Sequence, residues 1–137
     1  MRSWIFQAVP FCDDSVAVLH LGAGVPPMYF TGRHGSHIHE NDVVYFFLAG
    51  AHKDAGLWGW GLVKEDADPV SLRAPAAYSV TVDPPIPLST ALSSAAFEWH
   101  EIRTRPRETC YALDVRQCRA INDVLRQSAF GVPPIGT

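Results

Sequence analysis

The segment that most constrains this chain is an unbroken apolar run, Val43, Val44, Tyr45, Phe46, Phe47 and Leu48, entered from the turn pair Asn41-Asp42. Six consecutive β-branched, aromatic and aliphatic residues with no polar interruption describe a strand buried on both faces. A second run answers it over residues 55–63, where Gly56, Gly59 and Gly61 are interleaved with Leu57, Trp58, Trp60 and Leu62. Glycine within a strand marks a bulge, or a place where another backbone or a ligand comes close. With residues 51–54 as the connection, the two runs form a hairpin at the centre of a sheet. Its rim, carrying Phe47, Trp58 and Trp60, is the first candidate for a site.

The flanking segments build outward from that hairpin. Residues 3–9 read as a strand stopped by Pro10, and Asp13-Asp14 offer an N-cap to a short helix over 15–21. Residues 28–31 form a second strand, and 32–40 a polar loop. The alternation over 77–83 predicts a half-exposed strand. The prolines at 84, 85 and 87 then favour an extended edge segment over a paired one. Residues 88–100 predict a loose helix or loop anchored in the core by Leu92, Phe97 and Trp99. A basic turn over 103–107 leads to a last short strand, 109–113. Asp114 and Gln117 have capping-box spacing ahead of a helix whose stripe is Val115, Cys118, Ile121, Asn122 and Leu125. Strands, one early helix, more strands and a closing helix predict an α+β fold, a small, strongly curved sheet or barrel with helices packed on it.

At 137 residues the chain is sized for one domain with its own core, here residues 1–130, followed by a Pro/Gly-rich stretch, 131–137, that is either a simple terminus or the start of a linker. Apolar residues make up 47% and charged residues 18% of the chain, which separates it from disordered sequences. A net charge of −3 and a pI near 6.0 leave no overall field to hold nucleic acid or an anionic membrane, so any polyanion needs a local patch. Three cysteines without paired spacing, and an N-terminus without a long apolar signal, suggest a thiol-reduced, cytoplasmic protein. No segment reaches the ~20 apolar residues of a membrane span.

Three groups of residues carry candidate chemistry. Tyr29, Phe47, Trp58 and Trp60, with Gly50 and the other glycines between them, suit a flat ligand as well as they suit core packing. His34, His37 and His39 suggest a metal-dependent enzyme on a small barrel, yet the spacing fails the cupin pattern: Glu40 follows at once, and positions 43 and 44 are valine. Arg103, Arg105 and Arg107 alternate, so on an extended segment all three share a side. With Arg33, His34 and Lys53 they would form a phosphate-contacting rim. No hydrolase elbow or phosphate-binding glycine loop is present.

Residues 4–10, 41–50, 56–63 and 106–113, the last leading to Gln117 and Ile121, together resemble the EVE domain of the PUA-like superfamily, in the right order over nearly the whole chain. The resemblance implies a PUA-like curved β-barrel of five to six strands flanked by short helices. It also implies a non-enzymatic reader, related to YTH domains, that takes a modified base flipped out of nucleic acid, DNA more readily than RNA and a modified cytosine such as 5-methylcytosine. No cofactor is expected. A nuclease or NTPase partner or fused domain, as in a restriction system, would supply the downstream activity. On this reading the pocket comprises Gln7, Ala8, Tyr29, Thr31, Arg33, Phe47, Gly50, Trp58 and Trp60, and the phosphate contacts are Lys53, Arg103, Arg105 and Arg107. Tyr29 and Phe47 stand where the family often has tryptophan, which makes a different cage. Asn41 replaces its usual turn glycine, and residues 35–39 depart from its usual loop. The alternatives are the metal-dependent enzyme using the His34, His37 and His39 loop and a peptide-binding module using the same aromatic cleft.

Overall fold

A computed structural model describes residues 2–8, 28–49 and 55–134. The sequence-predicted helix at 15–21 and the candidate residues Gly50 and Lys53 lie outside them. Six strands, β1 (Ser3–Ala8), β2 (Met28–Phe30), β3 (Val43–Leu48), β4 (Gly56–Val63), β5 (Arg73–Pro87) and β6 (Cys110–Leu113), form one sheet in the order β2-β5-β4-β3-β1-β6. Among the described residues only the β1/β3 pairing is parallel. The sheet curls until its first and last strands approach. The Thr109 hydroxyl donates to Phe30 O across the remaining seam at 2.8 Å. The result is a nearly closed barrel with short helices outside it.

Every residue of β3 is buried, as its unbroken apolar run requires, because both faces of the strand are covered. Val44, Phe46 and Leu48 point into the barrel with Trp4, Phe6, Tyr29 and Trp58. There Phe46 stacks on Tyr78 at 4.1 Å, and Tyr29 lies 5.3 Å from both Phe6 and Phe46. Val43, Tyr45 and Phe47 point outward, under the helices. Those helices are α1 (Leu88–Ala91), α2 (Glu101–Thr104) and α3 (Val115–Gln127). The Asp114–Gln117 capping box begins α3 as its spacing predicts, and Cys118, Ile121, Asn122 and Leu125 face the sheet. Val115, at the first turn, stays 40% exposed. Within this outer core Tyr45 donates to Asn122 Oδ1 at 2.7 Å.

Four segments depart from the sequence reading. The polar loop after β2 is largely a 3-10 helix, Gly32–His37. β5 runs through its prolines and pairs with β4 there, Ile86 against Leu57 and Pro87 against Gly56. The pairing skips residues 82–85 opposite Trp58, so Pro84 and Pro85 fall at an irregular stretch, where their missing N–H groups break no regular ladder, and Pro87 is the last residue of the strand. Trp99 is no core anchor: it is 91% exposed, while Leu92 and Phe97 are buried as expected. Arg103 lies within α2, so the basic residues do not alternate along an extended segment. In the C-terminal stretch, Gly131 O accepts from the Trp60 indole at 2.9 Å, and Val132 packs on the outer core. Among the described residues no helix is long and apolar enough to cross a membrane.

Candidate functional site

The bulge that makes β4 irregular divides the aromatic set. β3 pairs Phe46 with Gly59 and Phe47 with Leu57, so Trp58 is the extra residue, and the alternation of faces slips there. Tyr29 and Trp58 therefore belong to the barrel interior, and Phe47 and Trp60 to the outer core under the helices. All four are buried, Phe47 completely, and the structure does not bring them together as one cage. Ala8 is likewise inside the barrel, its carbonyl accepting from Ala49 N at 2.9 Å.

What the fold assembles instead is a cavity of about 370 Å3 at the seam, between the end of β2 with its following 3-10 turn and the approach to β6. That volume is within the range of small-molecule sites, roughly 300–1,000 Å3. Of the sequence-predicted residues, Thr31, Arg33 and Arg107 line it. Phe30, His34, Glu108 and Thr109 join them, and none of these four belongs to the predicted pocket. Phe30 is the one large aromatic on the wall with an open face, 47% exposed. Pairing of Tyr29 with Ala74 turns Tyr29 inward, and alternation then turns Phe30 out. The dipeptide itself gives no sign of which aromatic faces which way.

The far wall of the cavity is held stiffly. Gln7 donates its amide to Pro106 O at 2.8 Å and to Glu108 O at 3.0 Å. Tyr111 donates to Arg105 O and accepts from Glu108 N at 3.1 Å. Gln7 thus reaches the basic segment, although its visible role is to fix that loop. A second, smaller cavity of about 200 Å3 lies beyond Gln7, against Leu92 and Ile102. Arg103 borders it and donates to Leu92 O at 2.6 Å, which turns it away from a phosphate row and into a brace between loops. Arg105 is exposed, with Glu108 at 3.5 Å.

Arg33 sits between two carboxylates, Glu101 at 2.6 Å and Glu108 at 3.4 Å, all at least partly exposed. Exposed pairs of this kind contribute at most about 1 kcal/mol, so their effect is to place charge at the seam. The hydrogen bond from Arg33 holds the Glu101 carboxyl below the usual range. His34 packs its ring 5.3 Å from that of Trp4, and its Nε2 is buried without a partner. Burial, and secondarily the Arg33 charge, lower its pKa. A histidine that resists protonation in the fold contributes stability that is complete above the unfolded value of 6.5 and is lost as pH falls through the lowered folded value. Thermal stability measured between about pH 7.5 and 5.5 is expected to fall more steeply for the wild type than for His34→Gln.

The three loop histidines diverge. His37 and His39 are exposed, and His39 faces Asp66 at 3.4 Å. Among the described residues no group of three His, Cys, Asp or Glu side chains is placed to hold a metal ion.

No protein-family model and no curated protein matches the chain. Solved structures do. A hypothetical protein from Leishmania major aligns with a TM-score of 0.67 at 13% identity, over 94% of this chain and 97% of its own. A protein from Agrobacterium tumefaciens gives 0.65 at 14%, over 100% and 99%. Human THYN1, in complex with 5-methylcytosine-containing DNA, gives 0.62 at 14%, over 97% and 100%. The fold is the one these structures share, a PUA-like curved β-barrel with short flanking helices. At these identities the likeness is one of architecture, and the side chains of the seam are this chain's own.

Proposed function

We propose that this protein is a non-enzymatic reader of a modified base in DNA, a modified cytosine, taken out of the stack into the seam cavity. The observation that carries the reading is the cavity itself, with the open face of Phe30 on one wall and Arg107 on the other. THYN1, a protein of the same fold, is bound to DNA containing 5-methylcytosine, which supports the choice of ligand class. Extruding a base costs a few kcal/mol. Stacking on one aromatic face returns roughly 1–3 kcal/mol, and hydrogen bonds to the base edge supply the rest. The added methyl contributes only about 0.8 kcal/mol by burial, so discrimination by modification also draws on shape. Arg107 lines the cavity, Arg105 precedes it by two residues on the same loop, and the two are the proposed phosphate contacts. Cleavage or processing would fall to a partner nuclease or NTPase, since the sequence carries no such motif.

The test is a binding titration at fixed salt with oligonucleotides that differ only in one 5-methylcytosine. Phe30→Ala, a substitution at a partly exposed position, is expected to weaken binding of the modified strand by about 5- to 150-fold. Arg107→Ala should weaken all strands alike and lower the salt slope by about 1. A folded Phe30→Ala protein with unchanged affinity would overturn the placement of the base.

A further inference from the structure

We infer that Glu108 sets which base edge the seam cavity accepts, selecting a base that presents an exocyclic amino group, cytosine-type, over one that presents a carbonyl there, thymine-type. The inference rests on the base-reader reading and narrows it to the donor pattern of the ligand. Its basis is the hydrogen-bonding state of the polar groups around the cavity.

Both hydroxyl protons on the wall are already committed to the protein. Thr31 donates to Leu72 O and Thr109 to Phe30 O, each at 2.8 Å, so what these side chains have left is lone pairs. The Glu108 N–H is occupied by the Tyr111 hydroxyl at 3.1 Å. The Arg33 guanidinium is drawn to Glu101 at 2.6 Å and lies farther from Glu108, at 3.4 Å. On its other side Glu108 is met by Arg105, also at long range, 3.5 Å. Its two oxygens therefore keep acceptor capacity in a cavity whose hydroxyls also accept. Gln7 and Tyr111 hold the backbone O and N of Glu108, so the place of this residue on the cavity wall is set before any ligand arrives.

A carboxylate accepts from the N4 amino group of cytosine. A carbonyl in the same place would put lone pair against lone pair and leave both unpaired. 5-Methylcytosine and thymine make the discriminating pair. They share the ring and its methyl, and so the stacking and the methyl burial, but they differ along the donor/acceptor edge.

The experiment measures binding of single-stranded oligonucleotides carrying one 5-methylcytosine or one thymine at the same position in an otherwise identical strand. Wild type is expected to prefer 5-methylcytosine by about 5- to 150-fold. Glu108→Gln, whose amide can rotate to donate, should bring the two affinities close together, largely by improving thymine. Asp123→Asn removes the same charge from the exposed face of α3, where Asp123 pairs with Arg126 at 3.2 Å, and should keep the preference. Equal binding of the two strands by wild type, or a folded Glu108→Gln protein that keeps the preference, overturns the role of Glu108 and leaves the reader standing. Failure of wild type to bind either strand overturns the reader itself, and this inference with it.

Discussion

Gly61→Ala is expected to abolish folding, or to leave a protein that unfolds far below the wild-type temperature. A Cβ at position 61 would lie 1.8 Å from Ala77 O, 2.7 Å from the Ala77 carbonyl carbon and 2.9 Å from Tyr78 Cα. All three atoms are backbone of β5, so no rotamer change can relieve the contact. The central β4/β5 pairing would have to open. Register shifts beside Gly61, between Trp60 and Gly61, bring the two chains this close. Gly56 is constrained twice over, with φ at +149° and Ile86 O only 1.9 Å from where a Cβ would sit. A loss above about 4 kcal/mol belongs to the exceptional class of single substitutions, and it is comparable with the whole stability of many domains. Gly131→Ala is the internal comparison. There a Cβ meets only Val80 Cγ2, at 3.8 Å, and stability should stay within about 0.5 kcal/mol of wild type. Circular dichroism and thermal melts of the two variants check both. A folded Gly61→Ala protein with a near-native melt would contradict the β4/β5 geometry.

That glycine also marks the boundary between what the sequence makes legible and what it hides. The unbroken apolar run of β3 can only be a strand covered on both sides, and the glycines of β4 announce a close backbone, so the central hairpin is legible. So is α3, because a capping box and a 3.6-residue stripe are local patterns. Asn41, with φ at +71°, adopts the left-handed turn expected of it. What the pattern does not encode is a shift of phase. One extra residue at Trp58 sends the two tryptophans to opposite faces, and nothing in the alternation of glycine with large residues distinguishes a regular strand from a bulged one. An aromatic pocket inferred from that alternation therefore has its members scattered between two cores. Arg103 departs from expectation for a similar reason. A period-two spacing of arginines describes an extended edge only if the segment is extended, and residues 101–104 are helical. The seam cavity depends on which strands meet when the sheet curls, and therefore on contacts between residues far apart in the chain, such as Phe30 and Thr109. No local window contains that information.

Asp42→Ala carries the second large effect, and it acts on the barrel without touching the seam. Asp42 is 4% exposed, and its carboxylate receives three N–H groups at 3.0 Å: the Arg2 and His39 backbone amides and the Trp4 indole. Its own backbone joins the same corner, with Asp42 O accepting from Val63 N and Asp42 N donating to His39 O. One side chain thus ties the start of β1, the turn before β3 and the floor of the barrel through Trp4. Hydrogen bonds to a charged group contribute about 1.5–3 kcal/mol each, and a buried donor left without its acceptor bears the full desolvation cost. The Arg2 amide, at the chain's edge, can turn to water, whereas the Trp4 indole, 1% exposed, cannot. Alanine should therefore destabilise by about 3–5 kcal/mol, a fall of roughly 10–20 °C in Tm. An asparagine side chain at this position keeps one acceptor oxygen and replaces the other with a donor facing donors, so Asp42→Asn should lie between wild type and alanine. The pair Asp42→Ala and Trp4→Phe separates causes. Phenylalanine at position 4 removes the stranded indole donor, so the double variant should lose less than the sum of the two single losses. Strict additivity would mean that the Trp4–Asp42 hydrogen bond contributes nothing to holding the barrel floor, and that the backbone amides alone make Asp42 necessary.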